Sequence, residues 1–268
     1  MPLDAVPRDF DTIAPAYDAT RDPIDAPTLE EMGRVLREQR VHRLLEVGVG
    51  TGRVALPLET AGFDVTGVDA SRGMLAHART KGLVRLVRGS AYRLPFAPAS
   101  VDASLLVHVL HLLNEPARAL KEATRVGRLG AFALVHPGTG EEARPSPARE
   151  AGRRVVYRIL AERGYPFPRS AMGGPPVRER AVLAQIPPDR MTVVSDRVVT
   201  EPLARRLDML ARGASRHTMH IPPEELRRAV DAARAEVGDR TVTYRRVEAL
   251  AVWSAEGLAA RSPDPATV

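Results

Sequence analysis

Leu44-Leu45-Glu46-Val47-Gly48-Val49-Gly50-Thr51-Gly52-Arg53 decides how this chain is read. A short apolar run ends in an acid, and three glycines at alternate positions then lead into a helical pattern. Without Cβ atoms the backbone can turn sharply and a ligand can lie against it. The helix that follows points free N–H groups and its positive dipole end at the same spot, which suits a carboxylate or a phosphate. A second acid, Asp69, ends the next apolar run. In a right-handed crossover these two strand ends are neighbours, so Asp69 reaches a ligand lying across both. A carboxylate there accepts hydrogen bonds from vicinal hydroxyls such as those of a ribose.

Outward from this stretch, short apolar runs at 43–48, 63–68, 83–88, 101–107 and 129–136 read as strands. Between them 52–61, 71–81 and 114–126 read as helices, the last with Asn114 and Pro116 as its start signal. Such alternation predicts an α/β fold with a doubly wound, largely parallel sheet. Ahead of it, 28–40 is a predicted helix, with Thr28-x-x-Glu31 as its capping box. The second half changes character. Residues 137–147 are rich in Gly and Pro and read as loop, and 148–163 as an amphipathic helix. Residues 164–188, dense in Pro and Gly, read as loop broken by short helix at most. Two β-branched runs, 190–200 and 241–253, enclose helical patterns at 202–212 and 222–237. The expected organisation is a core over 1–136 with a helical lead-in, a helical cap over 137–240 interrupted by a core strand at 190–200, a closing strand within 241–257, and a flexible tail at 258–268.

Hydrophobic residues at 44% and charged residues at 27% allow a packed core and exclude general disorder. The absence of cysteine excludes disulfides, thiolate metal sites and a cysteine nucleophile, and no metal ligand set is assigned. No uncharged run approaches the length of a membrane span, and no secretory h-region is visible. A cytoplasmic location is therefore expected. The net charge is +6 and the pI about 10.2; all basic residues but Lys81 and Lys121 are arginines. These charges are interspersed and aromatics make up only 4%, which favours a solvated surface over a nucleic-acid groove.

Two cofactor types fit the glycine loop. Gly50-Thr51-Gly52-Arg53-Val54-Ala55 satisfies the weak dinucleotide pattern. S-adenosyl-L-methionine fits better, because its ammonium and sulfonium groups are complemented by an acid such as Glu46, whereas a pyrophosphate gains nothing from one.

Glu46-x-Gly48-x-Gly50-x-Gly52, followed by Gly67-Val68-Asp69-Ala70-Ser71-x-x-Met74-Leu75, resembles the first two motifs of class I S-adenosylmethionine-dependent methyltransferases. The branch it is most similar to contains the ubiquinone/menaquinone C-methyltransferases and many small-molecule enzymes. The order continues through Arg88-Gly89-Ser90-Ala91, Leu94-Pro95-Phe96, Ser100-Val101-Asp102-Ala103 and Leu120-Lys121-Glu122-x-x-Arg125-Val126. Upstream, Phe10-Asp11-x-Ile13-Ala14-x-x-Tyr17-Asp18 resembles the family's lead-in. The resemblance implies a Rossmann-like seven-stranded sheet with the last strand antiparallel, and methyl transfer from S-adenosyl-L-methionine to a small-molecule acceptor. It implies that Gly48, Gly50 and Gly52 cradle the methionine end, with Glu46 placing the loop and the amino group. It implies Asp69 on the ribose, Ala70 and Met74 against the adenine, Ser90 and Ala91 at the adenine edge, Val107 touching the cofactor through its backbone, and Tyr17 folded over the methionine end. A nucleic-acid methyltransferase and a non-catalytic cofactor-binding protein of the same fold stay open as alternatives.

Three departures stand out. Ser90 replaces the family's usual aspartate, Leu129-Gly130-Ala131 replaces its Pro-Gly-Gly turn, and His108 stands where an apolar residue is usual. His108, beyond the fourth strand, is the candidate general base, expected to titrate near pH ~6.5. His217 and His220 are weaker candidates, and His111 reads as a structural partner of the loop after the fourth strand. The Asn-Pro-Pro-Tyr signature of nucleic-acid-base N-methyltransferases is absent, with Leu106-Val107-His108-Val109 in its place.

Overall fold

The computed structural model describes residues 9–22, 24–137, 147–165, 175–212, 218 and 221–261. His217 and His220 lie outside them, as do 138–146, 166–174 and 262–268. The elements in chain order are α1 (Asp9–Ile13), α2 (Ala26–Glu38), β1 (Arg43–Val47), α3 (Ala55–Thr60), β2 (Asp64–Asp69), α4 (Arg72–Thr80), β3 (Leu86–Arg88), β4 (Ala103–Val107), α5 (Pro116–Val126) and β5 (Ala131–Val135). There follow α6 (Pro147–Glu162), α7 (Pro175–Gln185), β6 (Arg190–Pro202), α8 (Leu203–Ala211), α9 (Pro223–Val237), β7 (Thr241–Trp253) and α10 (Ala255–Arg261).

The strands form a 7-stranded sheet in the order β3-β2-β1-β4-β5-β7-β6. β1 to β5 are parallel, and β7 runs antiparallel to both β5 and β6. The order reverses direction at β1, between β2 and β4, which opens a crevice at the carboxyl edge. Alternation along each strand builds both faces of the core. Leu44 and Leu105 point into one cluster, with Met32 and Leu36 of α2 and Leu58 of α3. Leu45 and Leu106 point into the other, with Leu120 and Ala123 of α5.

β7 pairs with β5 only from Ala249 to Trp253, so Thr241 to Glu248 run on beyond the carboxyl edge of β5. At a rise of about 3.3 Å per residue this is a projection of roughly 25 Å, shared with β6. A register shift between Val193 and Ser195 lies beside the point where the two-stranded ribbon leaves the sheet, the kind of irregularity that bends a pair of strands. Helices α6, α8 and α9 pack on its far end, where Tyr157, Leu207, Val230 and Tyr244 share one apolar cluster. Arg197 pairs with Asp25, and Arg212 Nη1 donates to Ala19 O at 2.7 Å, tying ribbon and α8 to the lead-in.

The structure departs from the sequence reading in three places. The α2 cap is Asp25, whose Oδ1 accepts from Thr28 N at 2.9 Å, so Thr28 is inside the helix and Glu31 pairs with Arg34 instead. The segment expected as loop contains α7, an 11-residue helix. Pro175 and Pro176 sit at its first turn, where a missing N–H costs nothing, and Pro187 and Pro188 stop it. The expected flexible tail begins inside α10, whose Asp189–Arg261 ion pair at 2.6 Å holds its end.

Candidate active site

β1 and β2 end side by side, with Val47 opposite Val68. Gly48 and Val49 both donate their N–H to Val68 O, at 2.7 and 3.0 Å, so the loop after β1 folds across the end of β2. Gly48, Gly50 and Gly52 all have positive φ (76°, 56° and 78°). A Cβ on Gly48 would lie 2.6 Å from Val109 Cγ2, and one on Gly52 2.2 Å from Leu83 Cδ1. At Gly50 nothing lies within 4 Å, so this turn opens onto free space. Asp69 fixes the loop from below. Its Oδ2 accepts from Gly50 N and its Oδ1 from Ser71 N, each at 2.8 Å. The Ala70 N–H also bears on this carboxylate, and the acceptor capacity left over is available to a ligand. Burial pushes the Asp69 carboxyl above its ordinary range, against the backbone N–H groups that lower it.

The lead-in closes over this edge. Asp11 Oδ1 accepts from Ser71 Oγ at 2.6 Å and Gly73 N at 2.8 Å, which holds α1 on the start of α4 and keeps the Asp11 carboxyl below its usual range. Asp18 accepts from Thr51 Oγ1 at 2.5 Å and pairs with Lys81. Between these anchors Tyr17 meets Phe10 edge-on at 6.4 Å, with the Arg21 guanidinium 4.6 Å from its ring centre.

Behind the lead-in is a cavity of about 670 Å³. Among the expected site residues, Tyr17, Gly48, Gly50, Asp69, Ala70, Met74, Ser90, Ala91, Val107 and His108 line it. Ser90 Oγ accepts from Tyr92 N at 3.2 Å, and Tyr92 Oη accepts from Asn114 N at 2.9 Å, so one wall is braced by its own loops. Tyr92 and Arg118 also line the cavity and were not singled out in the sequence, since nothing in their spacing marks them; Asn114, read there only as a helix start, lines it too.

Glu46 and Gly52 are not among the lining residues. Gly52 is where the loop passes under Leu83. Glu46 is 2% exposed, and its Oε2 has no partner among the described residues. Burial, with the nearby Asp69 charge, pushes its pKa up to about 8 against the opposing Ala55 N–H. The folded state therefore holds a proton here that the unfolded chain releases above pH ~4.5. Stability from this group is full below that value and is lost as pH rises towards about 8. Glu46→Gln is expected to flatten this part of the profile, read as the difference between parent and variant urea midpoints at pH 5 and pH 8. An unchanged difference would place the proton elsewhere.

His108 has φ 53°, a left-handed position that turns its ring off the end of β4. The ring stacks on His136 at 5.3 Å. Burial, and then the His136 imidazole, push its pKa down to about 3, so it is neutral at ordinary pH. Behind it lies a group missed in the sequence. Glu179 of α7 is fully buried and meets His136 Nδ1 at 2.9 Å and His111 Nδ1 at 3.2 Å, and those contacts hold its carboxyl well below the usual range. Glu179, Val182, Leu183 and Ile186 share one helical face. An acid in line with that stripe was the available signal.

A family described as "Methyltransferase domain" matches residues 45–135. The demethylmenaquinone methyltransferase of Thermus thermophilus is 32% identical over 175 residues, 59% of this chain and 74% of that protein. The demethylmenaquinone methyltransferase of Renibacterium salmoninarum is 36% identical over 152 residues, 51% of this chain and 62% of that protein. The chain thus spans less than two thirds of the Renibacterium relative. The solved structure of the YcgJ protein from Bacillus subtilis matches 85% of this chain and 98% of its own at 16% identity and a TM-score of 0.50, a likeness of fold. No helix among the described residues is long and apolar enough to cross a membrane.

Proposed function

The chain belongs to the class I S-adenosylmethionine-dependent methyltransferases, and from that premise we propose that it moves the methyl group of S-adenosyl-L-methionine to a small-molecule acceptor. S-adenosylmethionine is the cofactor of that family. One observation carries the reading: Asp69 holds the glycine loop through Gly50 N and itself lines a cavity of about 670 Å³.

The residues present fit this cofactor. Gly50, open on its cavity side, leaves room for the methionine backbone. Asp69, at the cavity wall, offers a carboxylate acceptor to the ribose hydroxyls. Ala70 and Met74 offer an apolar bed for the adenine, and Ser90 and Ala91 stand at its edge, where the Ser90 hydroxyl accepts more weakly than an aspartate would. Tyr17 and Phe10 exclude water from the methionine end. Glu46 acts from behind the loop by fixing its shape, and Gly52 by letting it pass Leu83. When bound, the cofactor supplies a methyl group on a sulfonium, a strong electrophile. The protein's contribution is then alignment, with a base needed only for an acceptor that starts protonated. Val107 and His108 carry the wall where the acceptor would sit. The neutral His108 imidazole can accept a hydrogen bond there and orient a hydroxyl, though a group this weakly basic takes the proton poorly.

We assign residues 1–136 to the cofactor core and 241–257 to its closing strand, with the helices of 137–240 as the cover over the acceptor. The acceptor classes of the relatives, a quinone among them, guide the choice of probes. Incubation with methyl-labelled S-adenosylmethionine and a panel of quinols, phenols and amines is expected to move label into a low-mass product. Label found only in nucleic acid or protein, or no transfer to any acceptor by a protein that binds the cofactor, would overturn the reading.

A further inference from the structure

Beyond the cofactor loop, the carboxyl edges of β4, β5 and the adjoining part of β7 bring together an ionisable cluster. His108 follows β4, His136 follows β5, Glu179 lies in α7 and Glu248 in β7. One ligand atom each from His108, His136 and Glu179 lies within 4.8 Å of the others. Glu179 Oε2 is 2.9 Å from His136 Nδ1. The ion-pair partners described for Glu179 are both imidazoles, His111 and His136.

A second observation is independent of these distances. Glu248 is fully buried, and its Oε2 has no hydrogen-bond partner among the described residues. Its Oε1 accepts from Arg246 Nη2 at 2.8 Å and lies 3.9 Å from His136 Nε2 and 4.0 Å from His108 Nε2. Two buried carboxylates thus face three imidazoles and one guanidinium.

We propose that His108, His136 and Glu179 bind one divalent first-row transition metal ion. Two imidazoles and a carboxylate suit zinc, iron, cobalt or manganese, whereas magnesium and calcium prefer all-oxygen sets. Bonds of about 2.0–2.2 Å require the three donors to draw together by roughly an ångström, a side-chain adjustment. An N–H on His136 Nε2, turned to Glu248, leaves the Nδ1 lone pair for the ion beside Glu179. Glu248 Oε1, now 3.9 Å from that nitrogen, closes to hydrogen-bond distance as the donors draw together and then orients the ring in the way carboxylates commonly support metal-bound imidazoles. Because His108 lines the cavity, the ion stands at its wall. The proposal is tested apart from methyl transfer, since the metal alone is the probe; a bound ion would occupy the His108 nitrogen that is otherwise free to accept from an acceptor hydroxyl.

The test is titration of chelator-treated full-length protein with Co²⁺, followed by visible absorption, and with Zn²⁺, followed by calorimetry. His217→Ala/His220→Ala serves as the background, which removes the other closely spaced histidine pair. The expected result is one Co²⁺ per chain with a visible ligand-field band, displaced by Zn²⁺. Affinity should fall at least tenfold in His136→Ala and in Glu179→Gln. X-ray absorption of the Zn²⁺ complex in the background protein needs neither substitution and is expected to show two imidazoles and oxygen in the first shell. No saturable binding in the background protein, binding unchanged in both folded variants, or a first shell with fewer than two imidazoles would overturn the proposal and leave a proton-sharing cluster.

Discussion

Asp69→Ala is expected to weaken binding of S-adenosylmethionine and S-adenosylhomocysteine by about 1.5–3 kcal/mol, roughly 10- to 150-fold in Kd. The loss has two sources. The ribose hydroxyls lose a charged acceptor, and the N–H groups of Gly50 and Ser71, now bonded at 2.8 Å, lose the partner that sets the loop. Asp69→Asn separates them, because its amide keeps one oxygen of the right shape without the charge. Calorimetry on both variants, with thermal melts as a control for folding, reads the effect. An Asp69→Ala protein that melts like the parent and binds with parental affinity would remove Asp69 from the cofactor site.

Gly52→Ala should act on the fold before it acts on binding. At φ 78° an L-residue is strained, at a cost of about 1–3 kcal/mol. Its Cβ would stand 2.2 Å from Leu83 Cδ1, and relieving such an overlap in a packed core costs about 1–3 kcal/mol more. Leu83 is 3% exposed and has little room to retreat. For a chain of this size the sum corresponds to a Tm lowered by about 5–15 °C. Trp253, the single tryptophan and fully buried, reports the transition by fluorescence. Gly50→Ala is the matched control. It shares the positive φ but meets no atom within 4 Å, so its melt should fall less, while its methyl group intrudes on the ligand's side of the loop. Equal melts for the two variants would show that the close approach to Leu83 carries no weight.

The parts of this molecule legible in its sequence are those where the signal is local. The Glu46-to-Arg53 stretch announces a strand, a tight turn and a helix within ten residues, and Asp69 closes a run of strand periodicity. Their juxtaposition then follows from the handedness of one crossover, and β1 and β2 do end side by side. The helices α6, α8 and α9 were legible for the same reason, because each carries its own apolar stripe. Where two signals competed, the weaker physical one prevailed in the reading. The prolines around 164–188 suggested loop, yet at Pro175 and Pro176 they fit the first turn of α7. Thr28-x-x-Glu31 looked like a capping box, yet Asp25 stands three residues earlier and caps with a carboxylate. The cluster of His108, His136, Glu179 and Glu248 was illegible because each member lies on a different element. Only the sheet order and the docking of α7 bring them together. For Glu46 and Gly52 the motif was legible but the place was not: both sit beneath the loop, out of reach of the cavity.

The crevice at the ends of β1, β2 and β4 is expected to hold S-adenosylmethionine. A crystal structure of the full-length chain with S-adenosylhomocysteine tests it most directly. The expected result is both ribose hydroxyls within hydrogen-bonding distance of Asp69, the adenine between Ala70, Met74 and Ala91, and the sulfur facing the wall formed by Val107 and His108. A nucleoside bound elsewhere, or bound here with Asp69 turned away from the ribose, would contradict it.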